Sequence, residues 1–147
     1  MLRLLIIAHA PLASALQAVA AHIDPEAAAS IGVCDIQANH SLDDATALGS
    51  IALRDSGTDE VLILTDVFGA TPCNAARRLG ERAGTRVIAG VNVAALWRAM
   101  GHLGDPLDKV AELVLAGGQQ GVISVASSQH QAVKSSAHES QHDHHQQ

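Results

Sequence analysis

The chain has 147 residues, of which 48% are hydrophobic, so it is long enough for one domain with a buried core. Only 1% of the residues are aromatic, and the core must therefore consist mainly of alanine, valine, leucine and isoleucine. A net charge of -6 without a basic stripe argues against nucleic acid as a partner, and no apolar run approaches the roughly 20 residues of a membrane-spanning helix.

Four short segments, largely apolar, are predicted to be strands. They cover residues 2–8, 31–36, 60–66 and 85–91. Three of the four are almost continuously apolar, a pattern typical of strands that helices cover on both faces of a sheet. These strands are therefore expected to form a buried parallel sheet.

Alanine-rich segments with helical spacing alternate with the strands. They cover residues 12–22, 42–55 and 71–83, followed by "AALWRAM" and "PLDKVAELVLAGG". Ser41 is a good N-cap for the second of them, with Asp44 three residues later. The alternation predicts an α/β fold, a three-layer sandwich around a four-stranded parallel sheet. Residues 121–125 are predicted to be a short fifth strand.

The composition changes near the C-terminus. We predict one domain over residues 1–126 and a disordered tail, rich in serine, glutamine and histidine, over residues 127–147. The five tail histidines leave metal binding open as an alternative, although no fixed ligand geometry is implied. They are His130, His138, His142, His144 and His145.

The N-terminus and the cysteines indicate a cytoplasmic protein. The first apolar run is short, is preceded only by Arg3 and does not resemble a signal peptide. Cys34 and Cys73 are far apart in sequence and form no CxxC motif, so free thiols in a reducing compartment are expected.

Two polar residues come where predicted strands end. His9 follows the first strand and Asp66 ends the third. Ligands of parallel sheets bind beyond the carboxyl ends of the strands, so both side chains are expected at the functional edge. If the two strands are neighbours, the carboxylate can accept the N–H of one ring nitrogen and leave the other nitrogen as a nucleophile.

The stretch "DVFGATPCNAARRL" is predicted to be a strand end, a glycine turn and a helix start. Thr71 is the predicted N-cap, and Pro72 suits the first helical turn. A helix N-terminus attracts a phosphoryl group. These parts fit transient phosphorylation of His9, and the alternative is a structural or solvent-exposed histidine with an aspartate that only caps the glycine turn. Because the sequence has neither a Walker lysine loop nor a metal-carboxylate cluster, no ATP chemistry, cofactor or metal is expected.

Four segments together resemble one protein family. They are "LLIIAHAPLASAL", "LILTDVFGATPCNAARRL", "VIAGVNVAAL" and "GGQQGVISV". The chain resembles the IIA component of the mannose-type family of the bacterial phosphoenolpyruvate-dependent sugar phosphotransferase system (PTS). The resemblance covers about residues 1–125.

The resemblance implies a role for individual residues. His9 would accept a phosphoryl group on Nε2 from the phosphohistidine of the carrier protein HPr and pass it to a separate IIB component. Asp66 would hold the ring through Nδ1. Gly69, Ala70 and Thr71 would bind the phosphoryl oxygens.

The resemblance also implies an assembly. The family fold is a four-stranded parallel sheet with a last antiparallel strand exchanged in a homodimer, and residues 121–125 would be that strand. The chain has no membrane span of its own, but it would be able to associate peripherally with the membrane components IIC and IID.

Three other functions remain open. No IIB, IIC or IID segment follows in this sequence, so a regulatory phosphoprotein without its own sugar transporter is an alternative. The others are the phosphotransfer subunit of a dihydroxyacetone kinase and a small α/β binding module without chemistry.

Several residues have two interpretations or no assigned chemistry. Asn92 would either touch the site or cap the next helix, and Trp97 is expected in the core or a dimer contact. His22, His40 and His102 are expected away from the functional edge.

Overall fold

The computed structural model describes residues 1–54 and 60–126. Its strands are β1 (Arg3–His9), β2 (Gly32–Ile36), β3 (Val61–Thr65) and β4 (Thr85–Ala89). They form one parallel sheet in the order β2-β1-β3-β4. The predicted four-stranded parallel sheet is therefore confirmed.

Six helices surround the sheet in the described part of the chain. They are α1 (Leu12–Ala20), α2 (Pro25–Ala29), α3 (Leu42–Arg54), α4 (Thr71–Leu79), α5 (Val93–Met100) and α6 (Leu107–Gln120). The short α2 was not predicted. Asp24 caps it through the Ala27 N–H at 3.0 Å, and Pro25 occupies its first position. Because a separate helix begins so soon after it, α1 ends at Ala20, earlier than predicted.

The side chains of β1 and β3 alternate between two cores, one on each face of the sheet. Leu4, Ile6, Leu62 and Leu64 pack with α1, α5 and α6. Leu5, Ile7, Val61 and Ile63 pack with α3 and α4. Both faces are buried, which explains why these strands are apolar without alternation. The molecule is a three-layer sandwich, as predicted.

The strand order reverses between β1 and β3. The chain leaves β1 for β2 on one side and returns past β1 to form β3 on the other. At such a point the helices that follow the two strands lie on opposite faces of the sheet, and a crevice opens at the carboxyl ends. The carboxyl ends of β1 and β3 flank this crevice.

Residues 121–125 pair with no strand in the single chain. Residue 121 is in a turn, and residues 122–126 have neither helical nor strand structure. The predicted exchange of this strand in a dimer therefore stays a prediction. Asp55, the predicted end of the second helix, lies outside the described residues, as does the predicted tail over residues 127–147 with its five histidines.

Substitution of two isoleucines, one buried and one exposed, tests the packing of the three-layer sandwich. Ile63 on β3 is fully buried, whereas Ile51 on α3 is 55% exposed. Ile63→Ala is expected to lower the free energy of unfolding by about 2–5 kcal/mol, because it removes buried methyl groups and leaves a cavity. The matched Ile51→Ala is expected to change it by about 0.5 kcal/mol or less. Urea unfolding at one protein concentration measures both, and equal losses would contradict the burial of Ile63 beneath α3 and α4.

Candidate functional site

His9 and Asp66 lie on opposite sides of the crevice between β1 and β3. His9 is the last residue of β1, whereas the predicted strand ended one residue before it. Asp66 directly follows β3. The side chain of His9 is 53% exposed, whereas that of Asp66 is only 13% exposed. The imidazole therefore faces solvent while its partner is shielded.

One carboxylate oxygen of Asp66 binds His9 twice. Oδ2 accepts the backbone N–H of His9 at 2.9 Å and lies 2.7 Å from ring Nδ1. The other oxygen, Oδ1, accepts the N–H of Val67 at 2.8 Å. The carboxylate is thus fixed by two backbone groups, and it fixes the imidazole in turn.

The ionisation of Asp66 determines the state of the ring. Burial is the largest single influence and would raise the pKa of Asp66, but hydrogen bonds from the N–H and ring of His9 and from the Val67 N–H together lower it below its ordinary value. An ionised carboxylate only accepts hydrogen bonds, so Nδ1 must carry the proton. In the neutral ring, Nε2 then has a free electron pair and is the nucleophilic atom.

The turn after Asp66 leads directly into α4. Ala70 donates to the Val67 carbonyl at 3.4 Å, which closes a turn with Gly69 at a φ of +87°. No atom lies within 4 Å of a Cβ built on Gly69, so glycine is required there by backbone conformation and not by packing. Gly69, Ala70 and Thr71 come together at the start of α4.

The predicted N-cap of α4 is wrong by one residue. Ala70 is the N-cap, and Thr71 is the first helical residue. Ala70 has the extended backbone typical of a cap, and its carbonyl accepts the N–H of Asn74 at 2.9 Å. Since alanine has no capping oxygen, no side chain caps this helix.

The other helices that begin at this edge are capped by side chains. Asp35 on β2 accepts the Ser14 N–H of α1 at 3.1 Å, Ser41 accepts the Asp44 N–H of α3 at 3.1 Å, and Asn92 accepts the Ala95 N–H of α5 at 2.8 Å. Among the described helices that follow β1 to β4, α4 alone has no such cap. Its free N–H groups and positive dipole end are therefore available to an anion.

The expected position of His40 was wrong. His40 lies in the loop that leaves β2, at the same edge as His9. Its Nδ1 accepts the N–H of Gln37 at 2.9 Å, so the neutral ring carries its proton on Nε2. This tautomer is the opposite of that of His9 and does not present a nucleophilic Nε2. Its position four residues after a predicted strand was a signal that placed it at this edge.

Other residues with open interpretations are now placed. Asn92 caps α5 and donates to the Gly118 carbonyl at 3.0 Å, so it ties α5 to α6. Trp97 is 45% exposed on α5 and is not a core residue. His102 lies 2.9 Å from Asp105 beside the amino end of β1, where Leu2 donates to Leu103, and is therefore away from the functional edge.

A comparison with protein families matches residues 3–115 to the family EIIA-man, described as the PTS system fructose IIA component. The chain belongs to this family. It is thus a phosphotransfer component of the sugar phosphotransferase system. No curated protein matches the chain significantly.

Solved structures with the same fold include PTS proteins. A mannose/sorbose-specific IIA subunit from Enterococcus faecalis is 27% identical, with a TM-score of 0.78 over 85% of this chain and 95% of that one. The EIIA component from Streptococcus agalactiae is 21% identical, with a TM-score of 0.75 over 84% and 97%. A PTS IIA protein associated with the fucose utilization operon of Streptococcus pneumoniae is 16% identical, with a TM-score of 0.68 over 84% and 92%.

Within residues 1–54 and 60–126, no helix is long and apolar enough to cross a membrane. In the same described ranges, no group of three or more histidine, cysteine or acidic side chains is arranged to hold a metal ion. Cys34 and Cys73 are both free and buried, and burial, helped by the charge of Asp35, raises the pKa of Cys34 to about 11.

Asp66→Asn tests the contact between carboxylate and ring. Asparagine has one acceptor oxygen in place of two, so it cannot accept all three N–H groups that the carboxylate binds. Nitrogen NMR of the imidazole at neutral pH is expected to show the proton on Nδ1 in the wild type, and a shifted tautomer ratio in the variant.

The same pair predicts a pH dependence. The pKa of Asp66 is lower in the folded than in the unfolded chain, so its stabilising effect is complete above the unfolded value and disappears as pH falls through the folded one. The difference in unfolding free energy between the wild type and Asp66→Asn is therefore expected to shrink below about pH 4. A difference that stays constant from neutral to acid pH would contradict an ionised carboxylate as the partner of the ring.

Proposed function

We propose that His9 of this EIIA chain carries a phosphoryl group from phospho-HPr to a separate IIB component. The observation that supports this most directly is the 2.7 Å contact between Nδ1 and Asp66, which leaves an exposed Nε2 as the nucleophile. The chain is proposed to act in the cytoplasm, with IIC and IID as membrane components that it can approach peripherally.

The proposed step exchanges one N–P bond for another. The electron pair on Nε2 of His9 attacks the phosphorus atom, the N–P bond of the donor phosphohistidine breaks, and its electron pair returns to the donor ring. The ring of His9 gains positive charge, which the carboxylate of Asp66 stabilises. The proton on Nδ1 does not need to leave. Because the bonds broken and formed are of one kind, the step is reversible.

The start of α4 supplies a binding site for the transferred group. Phosphoryl oxygens attract N–H groups at an uncapped helix N-terminus. We assign this role to the backbone of Gly69 and Ala70 and to Thr71, whose hydroxyl is not used as a cap. No metal ion is needed to neutralise the group in this arrangement.

The surface beside the site suits a protein donor. Phe68, the only phenylalanine of the chain, is 79% exposed in the turn after Asp66, and Val67 beside it is also exposed. Leu12 adds a partly exposed apolar side chain at the start of α1. Exposed apolar side chains next to a reactive group are typical of a contact surface for another protein.

A phosphotransfer assay with two histidine variants tests the proposal. The chain is mixed with phosphoenolpyruvate, enzyme I and HPr, and intact mass measures an acid-labile phosphoryl adduct. The wild type is expected to gain one adduct and His9→Ala none. His40→Ala, at the same edge but with the opposite tautomer, is expected to react within about twofold of the wild type. Asp66→Asn is expected to react on the order of 100-fold more slowly, because its ring tautomer is disturbed.

The outcomes of this assay distinguish a wrongly assigned residue from a wrongly proposed function. An adduct that persists in His9→Ala would move the phosphorylated residue elsewhere. No adduct on the wild type, with an HPr proven active from the same organism, would exclude the carrier role and favour a binding module.

We further propose that residues 121–125 are exchanged in a homodimer. Val122, Ile123 and Val125 are all more than two-thirds exposed, and they pair with none of the described strands of their own chain. Among the described strands, β4 is the edge of the sheet next to β3 and has no neighbour on its other side. An apolar segment without a partner and an open strand edge complement each other when they come from two copies.

Two truncations test the exchange. Removal of residues 122–147 is expected to convert a dimer to a monomer, because it deletes the apolar segment. Removal of residues 127–147 alone retains this segment, so the dimer is expected to remain. Sedimentation velocity shows whether each truncated protein is a monomer or a dimer. The same oligomeric state for both would contradict the proposed exchange.

A further inference from the structure

Asn74 binds two consecutive carbonyl groups of the turn that precedes α4. Its backbone N–H donates to the Ala70 carbonyl at 2.9 Å, which is the first bond of the helix. Its side-chain Nδ2–H donates to the Gly69 carbonyl at 3.2 Å. The sequence predicted a helix start here but assigned nothing to this asparagine.

The Gly69 carbonyl depends on this side chain. Gly69 precedes the N-cap Ala70, so its carbonyl comes before the first helical acceptor of α4. No neighbouring atom lies within 4 Å of the position of a Cβ on Gly69, and glycine is free to take either sign of φ. Two hydrogen bonds hold the peptide between Gly69 and Ala70: the long bond from the Ala70 N–H to the Val67 carbonyl, and the bond from the Asn74 amide to the Gly69 carbonyl.

The orientation of this peptide decides what the turn presents to an anion. In a trans peptide the N–H points away from the C=O. While Asn74 draws the Gly69 carbonyl toward α4, the Ala70 N–H points to the opposite side, where it donates to the Val67 carbonyl over a long distance of 3.4 Å that leaves it able to bind a closer anion. Rotation of the peptide would replace this donor by a carbonyl oxygen, which repels a phosphoryl group.

We propose that Asn74 is a positioning residue for phosphoryl transfer. It holds the Gly69–Ala70 peptide so that the Ala70 N–H, and not the Gly69 oxygen, faces the phosphoryl group on His9. Asn74 itself does not touch the transferred group. The inference rests on the proposed function of His9.

Three variants test the inference in the HPr assay. Asn74→Ala removes the donor and suits a helix better than asparagine, so the variant is expected to fold. Its phosphorylation rate, and the ratio of phosphorylated to free His9 at equilibrium with HPr, are each expected to fall by about tenfold, the value of one hydrogen bond to a charged group. Asn74→Gln retains an amide donor and is expected to recover most of the loss. Arg77→Ala, an exposed position on the same helix, is the matched control and is expected to behave as the wild type.

A spectroscopic measurement distinguishes positioning from general damage. The amide proton of Ala70 is expected to move downfield when the wild type is phosphorylated, and to move little in Asn74→Ala. This inference alone would be overturned if the wild type is phosphorylated and Asn74→Ala shows the same rate, equilibrium and amide shift as the wild type. A loss that Asn74→Gln does not recover, together with a lower melting temperature, would also overturn it in favour of a structural role. No phosphorylation of the wild type would overturn the function of His9, and the role of Asn74 with it.

Discussion

The site depends on a single side-chain oxygen atom. This atom accepts a backbone N–H just beyond the point where the pairing of two strands ends. The pairing of β1 with β3 ends at Ile7 and Thr65, so the N–H of His9 lies beyond the last paired residues. Oδ2 of Asp66 accepts this N–H and contacts the ring of the same residue. A carboxylate that completes the backbone pairing cannot move away from the imidazole without breaking the strand end. The rigidity of the sheet is thereby transmitted to the orientation of the ring.

Much of the architecture follows from the apolar pattern, because strands covered on both faces leave a continuous apolar sequence. His9 and Asp66 were also identified from their positions at strand ends. Their contact, however, required β1 and β3 to be neighbours, and chain order alone leaves this open, since β2 and α3 separate the two strands. The backbone N–H that Asp66 binds was equally invisible to sequence patterns.

The details that were missed depend on backbone conformation and not on residue type. Thr71 is a better capping residue than Ala70, yet Ala70 takes the extended conformation and becomes the cap. Asn74 reaches back five residues to the carbonyl of Gly69, a residue with a positive φ. The tautomer of His40 follows from one N–H donated within its own loop. Composition and periodicity contain none of this information.

The unequal capping of the helices has a consequence for the choice of phosphoryl source. Asp35, Asp44 and Asp66 add negative charge at the sheet edge where α4 begins without a side-chain cap. At physiological salt, charges act over about 8 Å, so the carboxylates within that distance oppose the attraction of a free polyphosphate to a single helix terminus. A phosphoryl group delivered on a protein surface bypasses this barrier, because the docking contacts bring it inside the screening distance. If His9 has the proposed role, this charge pattern would favour a phosphoryl group delivered on a protein over one delivered by a free nucleotide.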